Sequence, residues 1–331
     1  MAAIETVGLE KTYYLGFWRK AARQALRPLT LAVEEGEIFG YLGPNGAGKT
    51  TTLKLLMGLV FPTGGTARIL GMELDDPRMR AQIGFLPEQP YFYDYLTAAE
   101  LLNYYAQLSG LVGRERGRRV EAMLGRVGLA DTARLQLRKF SKGMLQRLGI
   151  AQAILHDPRL VFLDEPMSGL DPLGRREVRD LIQSLKDEGK TVFFSTHILS
   201  DAEALCDRVA VLCRGELRGV GVVAELEARR TGRVEVVWRG QAALAEVGPL
   251  ALDSHLSAGD TARATVAESN LNAVLDVLRR NAAQILSAQP VRSTLEDYFL
   301  ERLQAGAQDA AAPGAQDAPA AADGSAREVA P

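Results

Sequence analysis

Cysteine is almost missing from this chain of 331 residues: Cys206 and Cys213 are the only two, seven positions apart around the apolar stretch Val209 to Leu212. No CxxC pair or histidine cluster accompanies them, so a zinc or iron–sulfur site is excluded, and two reduced, structural thiols of a cytosolic protein are expected. An excess of one charge is also lacking. The 39 basic and 41 acidic residues leave a net charge of −2, without the global basic field that bulk capture of DNA or RNA needs. No apolar run approaches the ~20 residues that span a bilayer. The start, Met1-Ala2-Ala3-Ile4-Glu5, has neither the basic region nor the apolar core of a secretory signal. Any membrane connection is therefore expected to come through a partner.

What the chain does contain is a phosphate-cradling pattern. Gly43-Pro44-Asn45-Gly46-Ala47-Gly48-Lys49-Thr50 fits G-x-x-x-x-G-K-[ST] with no mismatch. A chain of this length meets the bare pattern by chance about one time in a hundred. Ile38 to Leu42 before it reads as a buried strand, and Thr51 to Leu59 after it as a helix, which is the required setting. Glycines let the backbone fold around phosphates, and the amides and helix N-terminus supply partial positive charge. Lys49 is expected to reach the outer phosphates and Thr50 to ligate Mg²⁺.

The length suggests two domains. Ile4 to Val33 reads as short strands with a polar, aromatic-spiked interruption from Tyr13 to Lys20. From Thr97 to Leu155 the pattern turns helical: Thr97 and Glu100 form a capping box, and amphipathic helices follow from Glu115 to about Val127 and from Leu145 to Leu155. The apolar runs Leu160 to Leu163, Thr191 to Phe194 and Val209 to Leu212 read as buried parallel strands. Glu177 to Leu185 and Ala202 to Cys206 read as the helices between them. The expected fold is α/β: a parallel-sheet core with an N-terminal antiparallel β subdomain and a helical insertion at about 97–155, together occupying 1–223. A small α+β domain is expected over 224–303, from the alternating strands Arg233 to Trp238 and Ala262 to Val266, a helix with Leu271, Val274, Leu275 and Leu278, and a last helix capped by Ser293 and Glu296. From residue 304 onward Ala, Gly, Pro and Asp dominate without an aromatic residue, which predicts a disordered tail.

Leu160 to Leu163 delivers Asp164 and Glu165 to the C-terminal end of its strand, where ligands gather in open α/β sheets. Two adjacent carboxylates there can divide the work, Asp164 holding Mg²⁺ or its water shell and Glu165 polarising the water that attacks a γ-phosphorus. Further on, Phe140-Ser141-Lys142-Gly143-Met144 places Ser141 where a helix N-cap belongs. Its hydroxyl and the first free amides can point at an anion, and Gly143 allows close approach. Read alone, Ser-Lys-Gly is only a helix cap.

In this order the motifs resemble ABC-type ATPases. The family's usual signature is Leu-Ser-Gly-Gly-Gln, of which this chain keeps Ser141 and Gly143 and replaces the others with Phe140, Lys142 and Met144. Ser168-Gly169-Leu170-Asp171 looks like the family's D-loop and Ser195-Thr196-His197 like its switch histidine. The resemblance implies that Asp171 contacts a partner subunit's site and that His197 hydrogen-bonds the γ-phosphate. It also implies that Tyr13, or Tyr14 or Trp18 in its place, stacks on adenine. In Leu86-Pro87-Glu88-Gln89-Pro90, Glu88 falls where the family's Q-loop glutamine lies and Gln89 one position later, leaving both as candidates for Mg²⁺ or its water. His156 and His255 have no such context. The variant signature, the long Tyr13 to Gln24 insertion and the ending Thr294-Leu295-Glu296-Asp297-Tyr298-Phe299-Leu300 are similar to ATPase subunits of ABC-2 type transporters.

Such a resemblance implies an ATPase using ATP and Mg²⁺, paired head to tail so that the phosphate loop of one subunit and the Ser141 and Gly143 of the other enclose each ATP, Gly43 to Thr51 forming the loop side. It further implies a separate integral membrane permease docked near the helical insertion and Glu88-Gln89, a place on the cytoplasmic face of the membrane, and export of a drug, lipid, polysaccharide or peptide. No nucleic acid is expected as a partner. A soluble ABC ATPase working on DNA or ribosomes would carry very long coiled-coil insertions or two ATPase domains, neither of which is present. A non-catalytic ATP sensor has no need of both Glu165 and His197.

Overall fold

The structure, a computed structural model, describes residues 1–15, 21–228, 230–256, 260–292 and 295–299. Trp18, the cap at Ser293, Leu300 and the tail from 304 lie outside the described residues.

The central sheet has six strands in the order β10-β9-β3-β8-β7-β6. They are β3 (Ile38–Leu42), β6 (Ile83–Leu86), β7 (Leu160–Asp164), β8 (Thr191–Thr196), β9 (Arg208–Cys213) and β10 (Glu216–Val222). All neighbours pair in parallel except β9 and β10, which form a hairpin. Every residue of β3, β7 and β8 is buried, because a parallel strand covered on both faces needs apolar side chains on both. On one face Phe193 gathers Phe39, Tyr41 and Phe162 at ring separations of 5.6, 5.3 and 5.7 Å. This face is covered by α1 (Lys49–Leu56) and by an antiparallel sheet of order β2-β1-β4-β5, formed by β1 (Ala2–Leu15), β2 (Ala21–Glu34), β4 (Gly64–Ile69) and β5 (Met72–Glu73).

The other face carries α3 (Ala98–Leu108), α4 (Gly113–Arg126), α5 (Lys142–Ile154), α6 (Pro172–Asp187) and α7 (Leu199–Leu205) around Leu42, Leu163 and Phe194; a short α2 (Pro77–Arg80) precedes β6. The capping box at the start of α3 is formed: Glu100 N donates to Thr97 Oγ1 at 3.2 Å and Thr97 N to Glu100 Oε2 at 2.8 Å. α6 begins five residues earlier than Glu177, because Asp171 caps it and Pro172 supplies a preset φ at its first position.

The N-terminal strands differ from the expectation of short pieces. β1 and β2 each run 14 residues and stay paired past Tyr13, which lies opposite Arg23. Four register shifts along the pair break the apolar alternation without breaking the ribbon, which is why the strand is longer than its pattern.

The third sheet has order β12-β13-β11-β14, from β11 (Arg230–Arg239), β12 (Ala251–Leu256), β13 (Thr261–Ala267) and β14 (Gln284–Arg292), and is antiparallel throughout. With α9 (Leu244–Val247) between β11 and β12, and α10 (Leu271–Arg280) between β13 and β14, it follows the split β-α-β ferredoxin-like path around a core of its own centred on Trp238. α8 (Val223–Ala228) leads into it, and its Val223 and Leu226 are buried in the same core as Leu163. The chain then returns: Leu295 and Tyr298 are buried in that core too, and Leu295 N donates to Glu203 Oε1 of α7 at 2.7 Å.

Both cysteines are free. Cys206 is buried beneath β3, so close that a Cβ on Gly40 would stand 2.6 Å from its Sγ, and burial, with Asp207 and Glu37 adding to it, pushes its thiol pKa well up. Cys213 is half-buried. An aromatic disulfide reagent is expected to react with Cys213 in the native protein and with Cys206 only after unfolding, so the thiolate released should double in guanidinium. Equal reaction rates in the native protein would contradict the packing around Gly40.

Candidate active site

β3 ends at Leu42, and the loop that follows is folded by contacts on three sides. Gly43 N donates to Thr196 O at 3.3 Å, Ala47 N to Pro44 O at 3.1 Å, and Gly215 N, from the β9–β10 turn, to Ala47 O at 2.8 Å. Glycine is required at position 48: its φ is +111°, and a Cβ there would stand 2.5 Å from the carbonyl oxygen of Ala25. The turn aims α1 at the mouth of a cleft of about 660 Å³.

Lys49 is buried and its ammonium folds back over the loop, donating to Gly43 O at 2.7 Å and to Pro44 O at 3.4 Å. It stands 3.1 Å from Glu165 Oε1, a charge contact rather than an aligned hydrogen bond. The other oxygen of Glu165 meets His197 Nδ1 at 2.9 Å. Lys49 and Glu165 have side chains 7% exposed, whereas His197 is 41% exposed, so the chain of contacts runs from the loop interior to its rim. Thr50, next on α1, donates its hydroxyl to Asp164 Oδ2 at 2.9 Å.

Ser195 fixes both carboxylates. Its hydroxyl donates to Asp164 Oδ1, and its Oγ and carbonyl accept from Glu165 N at 3.2 and 3.1 Å. These bonds hold Glu165 at φ +50°, a conformation that costs a non-glycine residue on the order of 1–3 kcal/mol and persists where the surroundings over-determine it. Asp164 and Glu165 thus point to different tasks from one strand end.

Of the residues expected from sequence, the structure brings Tyr13, Pro44, Asn45, Gly46, Gly48, Lys49, Thr50, Thr51, Glu88, Asp164 and Glu165 to the wall of this one cleft. Gln89 is not on that wall, whereas Glu88 is. Lys11 Nζ lies 5.1 Å from the Tyr13 ring centroid and donates to Phe61 O, which steadies the ring. Ser141, Gly143 and Asp171 lie elsewhere. Ser141 Oγ caps α5 by accepting from Met144 N at 3.2 Å, and Asp171 caps α6 by accepting from Gly174 N at 2.8 Å. These two helix starts share a second surface, where a Cβ on Gly143 would meet Leu170 at 3.9 Å and one on Gly169 would collide with the Lys142 ammonium. His156 Nε2 donates to Ile83 O at 2.9 Å and is structural, and exposed His255 stands beside Asp253 on β12. Sequence reasoning quoted Ser195 only as a neighbour of His197 and passed over Arg23 and Arg214, which also line the cleft. The hydroxyl of Ser195 had no signal of its own; Arg214-Gly215 between two apolar runs was legible as a hairpin turn.

A loop of this kind feeding a Lys–Glu–His chain, on this six-stranded sheet, defines an ABC ATPase. Residues 26–168 match the family described as ABC transporter. An ABC transporter ATP-binding protein of Synechocystis sp. is 46% identical over 306 residues, covering 91% of this chain and 84% of its own length. The chain belongs to the ABC transporter ATP-binding proteins and is an ATPase subunit. A fluoroquinolones export ATP-binding protein of Mycobacterium tuberculosis is 42% identical over 239 residues, 71% of this chain and 77% of its own. Among solved structures, a dimeric post-hydrolysis state of an ATP-binding cassette bound to ADP and Pi aligns with a TM-score of 0.61 at 28% identity, over 66% of this chain and 98% of that one.

Proposed function

We propose that this chain hydrolyses ATP as one half of a head-to-tail pair and drives a separate membrane-spanning exporter of the ABC-2 type. The carrying observation is the split of the site: Glu165, held between Lys49 and His197, faces the cleft, whereas Ser141 and Gly143 stand on another surface of the same chain. A second copy can supply them, and a two-fold axis builds both sites from one interface. The dimeric ADP and Pi structure of the similar cassette supports this arrangement.

In this reading the loop amides and Lys49 bind the phosphates, Glu165 accepts a proton from the attacking water, and His197 reports the γ-phosphate back to Glu165 through their shared contact. Thr50 Oγ1 and Asp164 Oδ2 are hard oxygen donors suited to Mg²⁺, which takes one or two protein ligands together with phosphate oxygens. Among the described residues no group of three or more His, Cys, Asp or Glu could hold a metal alone, so the ion would share its ligands with the nucleotide and neutralise its charge. Glu88, on the cleft wall, is the better placed of the Q-loop pair to contact that ion or its water. Residues up to about 223 would form the ATPase unit, with its helical part at 97–155, and 224–303 an accessory unit anchored in the ATPase core by Leu226, Leu295 and Tyr298.

No described helix is long and apolar enough to cross a membrane, so transport would need a permease, docked near the helical insertion and Glu88-Gln89. The similar fluoroquinolones export protein favours export as the direction. Specific ATPase activity should rise with protein concentration in parallel with the dimer fraction from sedimentation. Activity independent of concentration in a monomeric sample would overturn the shared site.

A further inference from the structure

The outer half of the cleft carries two cations that the catalytic chain does not use. Arg214 and Arg23 line it, both are exposed, and neither side chain has a hydrogen-bond or ion-pair partner among the described residues. Cations left free beside a cleft whose inner wall holds Glu88, Asp164 and Glu165 call for an anionic ligand from outside.

Arg214 is held in place by its backbone. It sits at φ +50° in the two-residue turn joining β9 and β10, followed by Gly215 at φ +77°, the pairing of a type I′ hairpin turn. Gly215 N donates to Ala47 O of the phosphate loop at 2.8 Å, and Gly215 O accepts from Arg27 N of β2 at 2.7 Å. A Cβ on Gly48 would stand 3.6 Å from Gly215 Cα and 2.5 Å from Ala25 O. The turn is therefore wedged between the phosphate loop and β2. Two residues before Ala25, Arg23 lies directly opposite Tyr13, so its side chain leaves the ribbon on the same face as the ring.

The order along the cleft is thus Tyr13 and Arg23, then Arg214, then the loop and Lys49, then Glu165. A nucleotide laid along it, base on Tyr13 and terminal phosphate toward Glu165, has its ribose and α-phosphate beside the two arginines. We infer that Arg214, assisted by Arg23, binds the α-phosphate and ribose portion of the nucleotide and sets the affinity of this subunit for adenine nucleotides independently of the γ-phosphate. The inference rests on the reading of the cleft as the ATP site.

The test is equilibrium binding of ATP and of ADP, each with Mg²⁺, by calorimetry on the full chain. Arg214→Ala is expected to weaken both by about the same factor, about tenfold, Arg214→Lys by less, and Arg23→Ala by a smaller factor; the losses should shrink at high salt. Unchanged affinity in Arg214→Ala, or a loss confined to ATP, would overturn the assignment, the latter because it would put the guanidinium at the γ-phosphate. Lys49→Ala separates the two levels. If it abolishes binding while Arg214→Ala does not change it, only the arginine assignment falls; if it leaves binding intact, the cleft is not the ATP site.

Discussion

Glu165→Gln is expected to lower kcat by about 10²–10⁴-fold while an ATP-bound dimer accumulates. The substitution keeps the length and planarity of the side chain, so the backbone bonds from Glu165 N to Ser195, which set its unusual φ, stay in place. Lys49 keeps its two carbonyl partners, Gly43 O and Pro44 O, and the phosphate loop is untouched. What disappears is the one buried carboxylate oxygen pair that can take a proton between Lys49 and His197. Binding and closure survive and the chemical step does not, so the closed state should build up. Phosphate release reports the first, and size exclusion with and without ATP the second. Hydrolysis near the wild-type rate would remove Glu165 from the role of base.

The parts of this site that were legible in the sequence are those that lie close along the chain and follow fixed local rules. Gly43 to Thr50 is a single loop, Ser141 is a helix cap, and the apolar runs feeding Gly43 and Asp164 are strands buried on both faces. What was not legible depends on register between distant strands. The motifs bring Thr50 and Asp164 to one Mg²⁺ but not to their direct hydrogen bond across 114 positions, and Ser195 reaches Asp164 only because β7 and β8 pair with Asp164 beside Ser195. The same holds for Arg214, whose place in the cleft follows from Gly215 bonding to Ala47. The length of β1 and β2 escaped for another reason, since four register shifts erase the period that announces a strand. That Glu88 and not Gln89 lines the cleft was not legible either, because a one-residue difference in an irregular loop leaves no periodic trace.

Lys49→Met carries the other large effect, and it reaches stability as well as binding. Loss of the ammonium removes the cation of the phosphate loop, so nucleotide binding should fall below detection. In the nucleotide-free protein, the same change leaves the Glu165 carboxylate, 7% exposed, facing an apolar group on one side and only the partly solvated His197 on the other. Stranding one member of a buried ion pair costs about 3–5 kcal/mol, and replacing both members with neutral groups of similar volume is often close to neutral. The urea midpoint of Lys49→Met should therefore drop by more than that of Glu165→Gln, whose lysine keeps two carbonyl partners. The double variant Lys49→Met/Glu165→Gln should recover most of the lost stability while remaining unable to bind ATP. If the double variant is no more stable than Lys49→Met alone, the two charges are not coupled through the 3.1 Å contact, and the ammonium is held by its carbonyl partners instead.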